Sequence, residues 1–175
     1  YEIYRCDWIA DVCSSDLDDG AGVGIVINTA LLVRQLGKPK RTIRVVLFGN
    51  EEGGLVGARA YAAKHSAEMK NHVFASESDF GAGRIWRFDT NFGPKALAFG
   101  AEIQKQLAPL GIEVGNNEAF GGPDVSVLKP HGVPVASLEQ DGTDYFDYHH
   151  TPNDTLDKID PKALEQNVKA WVIMI

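Results

Sequence analysis

The segment Thr42-Ile43-Arg44-Val45-Val46-Leu47-Phe48 constrains the fold of this chain more than any other feature. Four apolar side chains in succession, Val45 to Phe48, fit a strand buried on both faces, and such strands belong to parallel sheets covered by helices. The strand runs directly into Gly49-Asn50-Glu51-Glu52-Gly53-Gly54, which sets two adjacent carboxylates at its carboxyl end. Ligands of open α/β sheets gather at that end of the strands. Two neighbouring carboxylates repel each other unless positive charge lies near them. The turn is therefore either a solvated loop or a place where one glutamate holds a metal and the other handles a proton.

The flanking segments supply the helices that such a sheet needs. Val23, Val26, Ile27, Ala30, Leu31 and Val33 recur at helical spacing and predict a helix that ends near Leu36-Gly37. Leu55 to about His65 and Lys95 to Leu107 read as further helices, and His72–Ser76 as a short strand. Val125–Leu128 and Val133–Leu138 flank a turn at His131-Gly132, and the second reads as a strand. Asp160-Pro161 places an N-cap and a first-turn proline before a last helix carrying Leu164, Val168, Trp171, Val172 and Ile175. This alternation predicts an α/β fold, a three-layer sandwich with a mostly parallel central sheet.

Composition narrows the function classes. With 175 residues, 44% of them hydrophobic, the chain can bury the core of one domain. A net charge of −7 without a basic stripe argues against a nucleic-acid partner. No apolar run approaches the roughly 18–20 residues of a membrane-spanning helix. Cys6 and Cys13 are the two cysteines, so no disulfide framework holds the body of the chain. The sequence begins at Tyr1 and stops at Ile175 inside an apolar helical pattern, which reads as a fragment of something longer. Cys6–Leu17 lacks periodicity and reads either as a native surface loop or as a foreign, adaptor-like segment. Residues 1–17 are accordingly set apart from a domain over 18–175.

Asp18-Asp19-Gly20-Ala21-Gly22 reads as an acidic helix start followed by small residues that allow close approach to the sheet. A nucleotide site is disfavoured there, because the third glycine is misplaced, no apolar strand precedes it and two carboxylates would repel a pyrophosphate. Asp79 follows Glu77-Ser78 after the short strand, and His149-His150-Thr151-Pro152-Asn153-Asp154-Thr155 places two histidines in a proline-punctuated loop. His65, His72 and His131 are read as structural or exposed. Carboxylates with imidazole are what zinc accepts where no thiolate is used. No G-x-S-x-G occurs to support a serine hydrolase.

Four segments in order, D-D-G-A-G, R-T-I-R-V-V-L-F-G-N-E-E-G-G-L-V-G-A-R-A-Y, E-S-D and H-H-T-P-N-D-T, resemble the di-zinc exopeptidase family of bacterial aminopeptidases and glutamate carboxypeptidases. The likeness runs from Asp18 to the C-terminus. G-G-P-D-V-S-V-L, G-V-P-V-A-S-L and Y-F-D-Y-H-H-T look most like the carboxypeptidase Q branch. The resemblance implies a zinc-exopeptidase-like (phosphorylase/hydrolase-like) fold. It also implies hydrolysis of a peptide bond, in dipeptides or at a peptide terminus, through a metal-activated water. Two Zn2+ per intact site are implied, with Asp18 bridging them through a loop whose bond to Asp19 is cis in many relatives. Glu52 and His150 would complete one zinc's ligands, and Asp79 with an upstream histidine the other's. Glu51 would be the general base, and His149 would take the place of an oxyanion-stabilising tyrosine. Asp124 and the Asp141–Tyr145 loop would shape the substrate pocket.

One departure follows from the same comparison of motifs. The family's upstream histidine, in a G-H-x-D-S-like segment, has no counterpart, since no histidine precedes His65. Cys6 stands twelve residues before Asp18 and is the thiolate candidate for that place. One zinc site is thus expected to be intact and the other incomplete. The implied partners are a peptide or dipeptide and a second copy in a homodimer, and the implied location is extracytoplasmic or secreted. Two alternatives stand beside the peptidase: a catalytically impaired peptidase-like binding module, and a related zinc hydrolase that cyclises N-terminal glutamine or removes an acyl group.

Overall fold

The computed structural model describes residues 2–5 and 16–175. Cys6, Cys13 and the aperiodic segment up to residue 15 lie outside the described residues. In chain order the elements are β1 (Glu2–Arg5), α1 (Ala21–Leu36), β2 (Arg44–Leu47), α2 (Val56–Lys64), β3 (Ile85–Asn91), α3 (Leu97–Leu107), β4 (Glu113–Val114), α4 (Pro123–Ser126), β5 (Val135–Gln140), α5 (Tyr145–Tyr148) and α6 (Pro161–Met174). The apolar run at Val45 forms β2, paired in parallel with β1. β3 lies between β4, parallel to it, and β5, antiparallel to it. The expected strand at His72–Ser76 is realised as one parallel bridge, Ala75 to Val135. The described strands thus form a two-stranded parallel sheet and a three-stranded mixed sheet whose longer ladder, β3 with β5, is antiparallel, so the mostly parallel sheet expected from the sequence is realised as mixed pairing.

Alternation along β5 builds the layers. Ala136 and Leu138 face the main core, where Phe88 of β3 meets Ile25 of α1, Ile103 and Leu107 of α3, and Ala170, Trp171 and Met174 of α6. Val135 and Ser137 point the other way. Val135 packs on Ala119 and Val125 of α4, and Ser137 Oγ accepts the Gly121 N–H. Val46 and Phe48 pack with Tyr61 and Ala62 of α2 in a separate cluster. Helices α1, α3 and α6 thus cover one face and α2 and α4 the other, the three-layer α/β arrangement. The Asp160 carboxylate accepts the Lys162 N–H and caps α6 as its position before Pro161 predicts.

A buried polar network ties α6 to the end of the sheet that carries the acidic loops. Gln166 pairs with both backbone groups of Ile85, where a register shift leaves β3 short of ladder partners. Asn167, fully buried, donates to the carbonyls of Gly83 and Ala163 and accepts from Gln140, which also donates to Gly81. Asn167→Ala would strand several buried partners at once. It is expected to cost about 3 kcal/mol in urea unfolding, and a cost below about 1 kcal/mol would contradict this account.

Candidate metal centre

The acidic helix start folds against the sheet through Gly22. A Cβ there would stand 2.1 Å from Asp19 Oδ1 and 2.2 Å from the Ser78 carbonyl oxygen, so only glycine allows this approach. Asp19 Oδ1 accepts the Gly22 N–H at 3.1 Å. The preceding Asp16–Gly20 turn is non-helical at Asp18 (φ −123°, ψ 89°), and the Asp18–Asp19 peptide bond is cis. Asp18 thereby leaves the helical path and presents its carboxylate to the loop after α5.

Two further loops reach the same point. After β2, Asn50 and Leu55 adopt left-handed backbone and turn the chain back into α2, which abuts Gly49 so closely that Gly57 has no room for a side chain. Glu52 extends from this turn. After α5, His150 is also left-handed (φ 58°), and this lets two consecutive imidazoles stack face to face, 3.5 Å between centroids. Both Nε2 atoms then meet Asp18 Oδ2, at 3.3 Å from His149 and 3.2 Å from His150, while His150 Nε2 also contacts Glu52 Oε1. One ligand atom from each of Asp18, Glu52, His149 and His150 lies within 4.8 Å of the others.

The electrostatics call for positive charge. Burial, then Asp18 and Glu51, lift the Asp79 carboxyl to about 7, and burial, then Glu51, lifts Asp124 to about 7. Burial first, with Glu52 and Asp18 behind it, raises Glu51, against which His150 and His149 act weakly. Glu77 is pushed up to about 8, mainly by burial, although it accepts the Val125 and Asp124 N–H groups. The Glu52 carboxylate raises His150. One oxygen of the buried Asp124 has no hydrogen-bond partner. Oxygen and imidazole donors at these spacings suit a divalent cation such as zinc.

Of the residues singled out in the sequence, Asp18, Glu52, His149 and His150 come together in one group. Asp79 and Glu51 stand outside it but within its field. His149 stacks on His150, with its Nε2 on the same oxygen of Asp18. His65 and His72 are engaged elsewhere, with Glu68 and Tyr61. Sequence reasoning assigned no role to Asp154, which accepts the backbone N–H groups of Leu17 and Asp18. The available signal was its place four residues after His150 in H-H-T-P-N-D-T. Tyr145, the last residue of the expected pocket loop, also reaches the site. Its buried ring packs against His149 and Phe80, and burial together with Asp18 and Asp79 raises its phenol.

The family model for Peptidase family M28 matches residues 16–174. The chain belongs to this family. Similar proteins include carboxypeptidase Q of Rattus norvegicus, 36% identical over 165 residues, and that of Homo sapiens, 35% identical over 167. Each alignment takes in 94% of this chain and 35% of the relative, so the chain spans about a third of their length. The crystal structure of a peptidase M28 precursor from Shewanella amazonensis superposes with a TM-score of 0.83 at 50% identity, over 94% of this chain and 38% of that one. An aminopeptidase from Aneurinibacillus sp. strain AM-1 gives a TM-score of 0.62 at 25% identity, over 90% and 37%. The M28 fold is thus the zinc-exopeptidase-like α/β sandwich, and among the described residues no helix is long and apolar enough to cross a membrane.

Proposed function

We propose that residues 18–175 form part of a zinc-dependent metallo-exopeptidase domain that hydrolyses the peptide bond of a dipeptide or of a peptide terminus. The observation that carries this reading is the convergence of Asp18, Glu52, His149 and His150 within 4.8 Å, at the sheet end where Glu51, Asp79 and Asp124 are also found. Asp18, Glu52 and His150 would hold one zinc ion, and Asp79 would contribute to a second site whose other ligands are incomplete. When bound, zinc lowers the pKa of a coordinated water and polarises the scissile carbonyl. Glu51 takes the proton released from the attacking water and delivers it to the leaving amine, so that the amine departs neutral. His149, next to the ligand His150, donates a hydrogen bond to the carbonyl oxygen as negative charge develops on it.

Zinc titration of the purified chain, followed by assays against a dipeptide, an aminoacyl amide and a glutaminyl peptide, tests the reading. One tight equivalent of zinc, a second bound far more weakly, and turnover of the dipeptide are expected. Two equivalents of matching affinity would overturn the incomplete second site. Tight zinc with no turnover of any substrate would identify the impaired binding module, and turnover of the glutaminyl peptide alone would identify a cyclase.

A further inference from the structure

We propose that Asp154 is a positioning residue for the metal centre, holding Asp18 against the two imidazoles through the backbone of Leu17 and Asp18. The inference rests on the metal-dependent reading above. Asp154 is 1% exposed, and a buried carboxylate is costly unless its oxygens are satisfied. Its Oδ1 accepts the Leu17 N–H at 2.6 Å and its Oδ2 the Asp18 N–H at 3.1 Å, across 137 and 136 residues of sequence. Those two donors lie where the chain leaves helical geometry at Asp18, so the hydrogen-bond ladder of α1 does not hold them.

Asp154 also sits on the loop that carries the histidines, and that loop is tightly closed. Thr151 Oγ1 donates to the Tyr148 carbonyl at 2.7 Å, and the Asp154 N–H donates to the Thr151 carbonyl at 3.1 Å. The histidine loop therefore meets the Asp18 turn twice, by imidazole on carboxylate and by carboxylate on backbone. The imidazole contacts alone would leave the Asp18 backbone free to pivot about its side chain. With the second contact in place, the spacing of Asp18 Oδ2 from His150 Nε2 is set before any ion arrives, which is how supporting hydrogen bonds tune a metal site.

Asp154→Asn keeps the shape but offers one oxygen, so one of the two N–H groups faces an amide N–H. Competition against a chelating dye should show the zinc Kd raised about 10- to 100-fold, with the zinc-induced rise in thermal midpoint reduced and the zinc-free circular dichroism unchanged. Asp154→Ser, which retains one acceptor in a smaller volume, is read in parallel and should weaken zinc in the same sense. In the unsubstituted, zinc-free chain the Leu17 and Asp18 amide protons should exchange slowly with solvent, and rapid exchange would overturn the proposal however the variants fold. An Asp154→Asn protein that is less stable without zinc yet binds zinc as the parent does would overturn it too. Failure of the unsubstituted chain to bind zinc overturns the metal reading and this inference together. Equal binding by parent and variant overturns this inference alone.

Discussion

Glu51→Gln is expected to lower peptide hydrolysis by the zinc-loaded chain about 10²- to 10⁴-fold, the range a positioned general base contributes, with zinc affinity left near that of the parent. Glutamine keeps the volume and hydrogen-bonding capacity of the side chain and removes the proton acceptor. Glu51 is placed for this role by its position. It adjoins Glu52 on the loop after β2, stands outside the cluster of Asp18, Glu52, His149 and His150, and has its carboxyl raised by burial and by Glu52 and Asp18, which favours proton uptake. The loss should fall on kcat with KM little changed, because the proton transfer belongs to the transition state and not to substrate binding. A parallel collapse of zinc affinity would make Glu51 a ligand. Unchanged turnover would remove it from the chemistry.

In the presence of a chelator, the thermal midpoint is expected to fall by at least about 5 °C between pH 5 and pH 8, and added zinc should suppress the fall. Asp79 and Asp124 titrate at about 7 and Glu77 at about 8 in the folded chain, mainly through burial, against ordinary values near 4 once unfolded. The folded state then retains protons that the unfolded state has released. Their contribution to stability is complete below about pH 4 and is lost as pH rises through 7 to 8. His150, raised by Glu52, acts in the same direction. Glu68, Asp157 and Glu165 are lowered by Arg44, Lys158 and Lys169 and act oppositely, but as exposed pairs they weigh little. Zinc selects deprotonated ligands, so the stabilisation it confers should grow over the same interval. A zinc-free midpoint that is flat or rising from pH 5 to pH 8 would contradict the crowding of carboxylates described here.

The elements most legible in the sequence were those with strong local signals. Val45–Phe48 announces β2, the Asp160-Pro161 pair announces α6, and the spacing of Val23 to Val33 announces α1, which begins two residues earlier at Ala21. β3 escaped detection, although it is the middle strand of its sheet. Arg87 and Asp89 interrupt its apolar character, and they pair with each other at 2.8 Å with Asp89 buried, while a register shift at its start breaks the alternation a strand should show. β4, two residues long, is too short to carry a pattern. Of the apolar segment Val125–Leu128, Val125 and Ser126 fall in α4, where Glu77 accepts the Asp124 and Val125 N–H groups from across the fold, and Val127 and Leu128 fall in the turn after it.

The sequence by itself determined which groups were on offer and where the chain would present them. Helical and strand periodicity, caps and turn residues act over a few positions, and each motif is a contiguous stretch of chain. Only the tertiary structure decided that two adjacent histidines share one oxygen of Asp18, that Asp79 stands beside their group and not in it, and that Asp154 holds the Asp18 backbone. The contacts of Asp18 with His149, His150 and Asp154 join residues 131 to 136 positions apart. Their distances are set by how α1 and α6 close on the sheet through glycine contacts and buried amides, a packing outcome that no local pattern encodes.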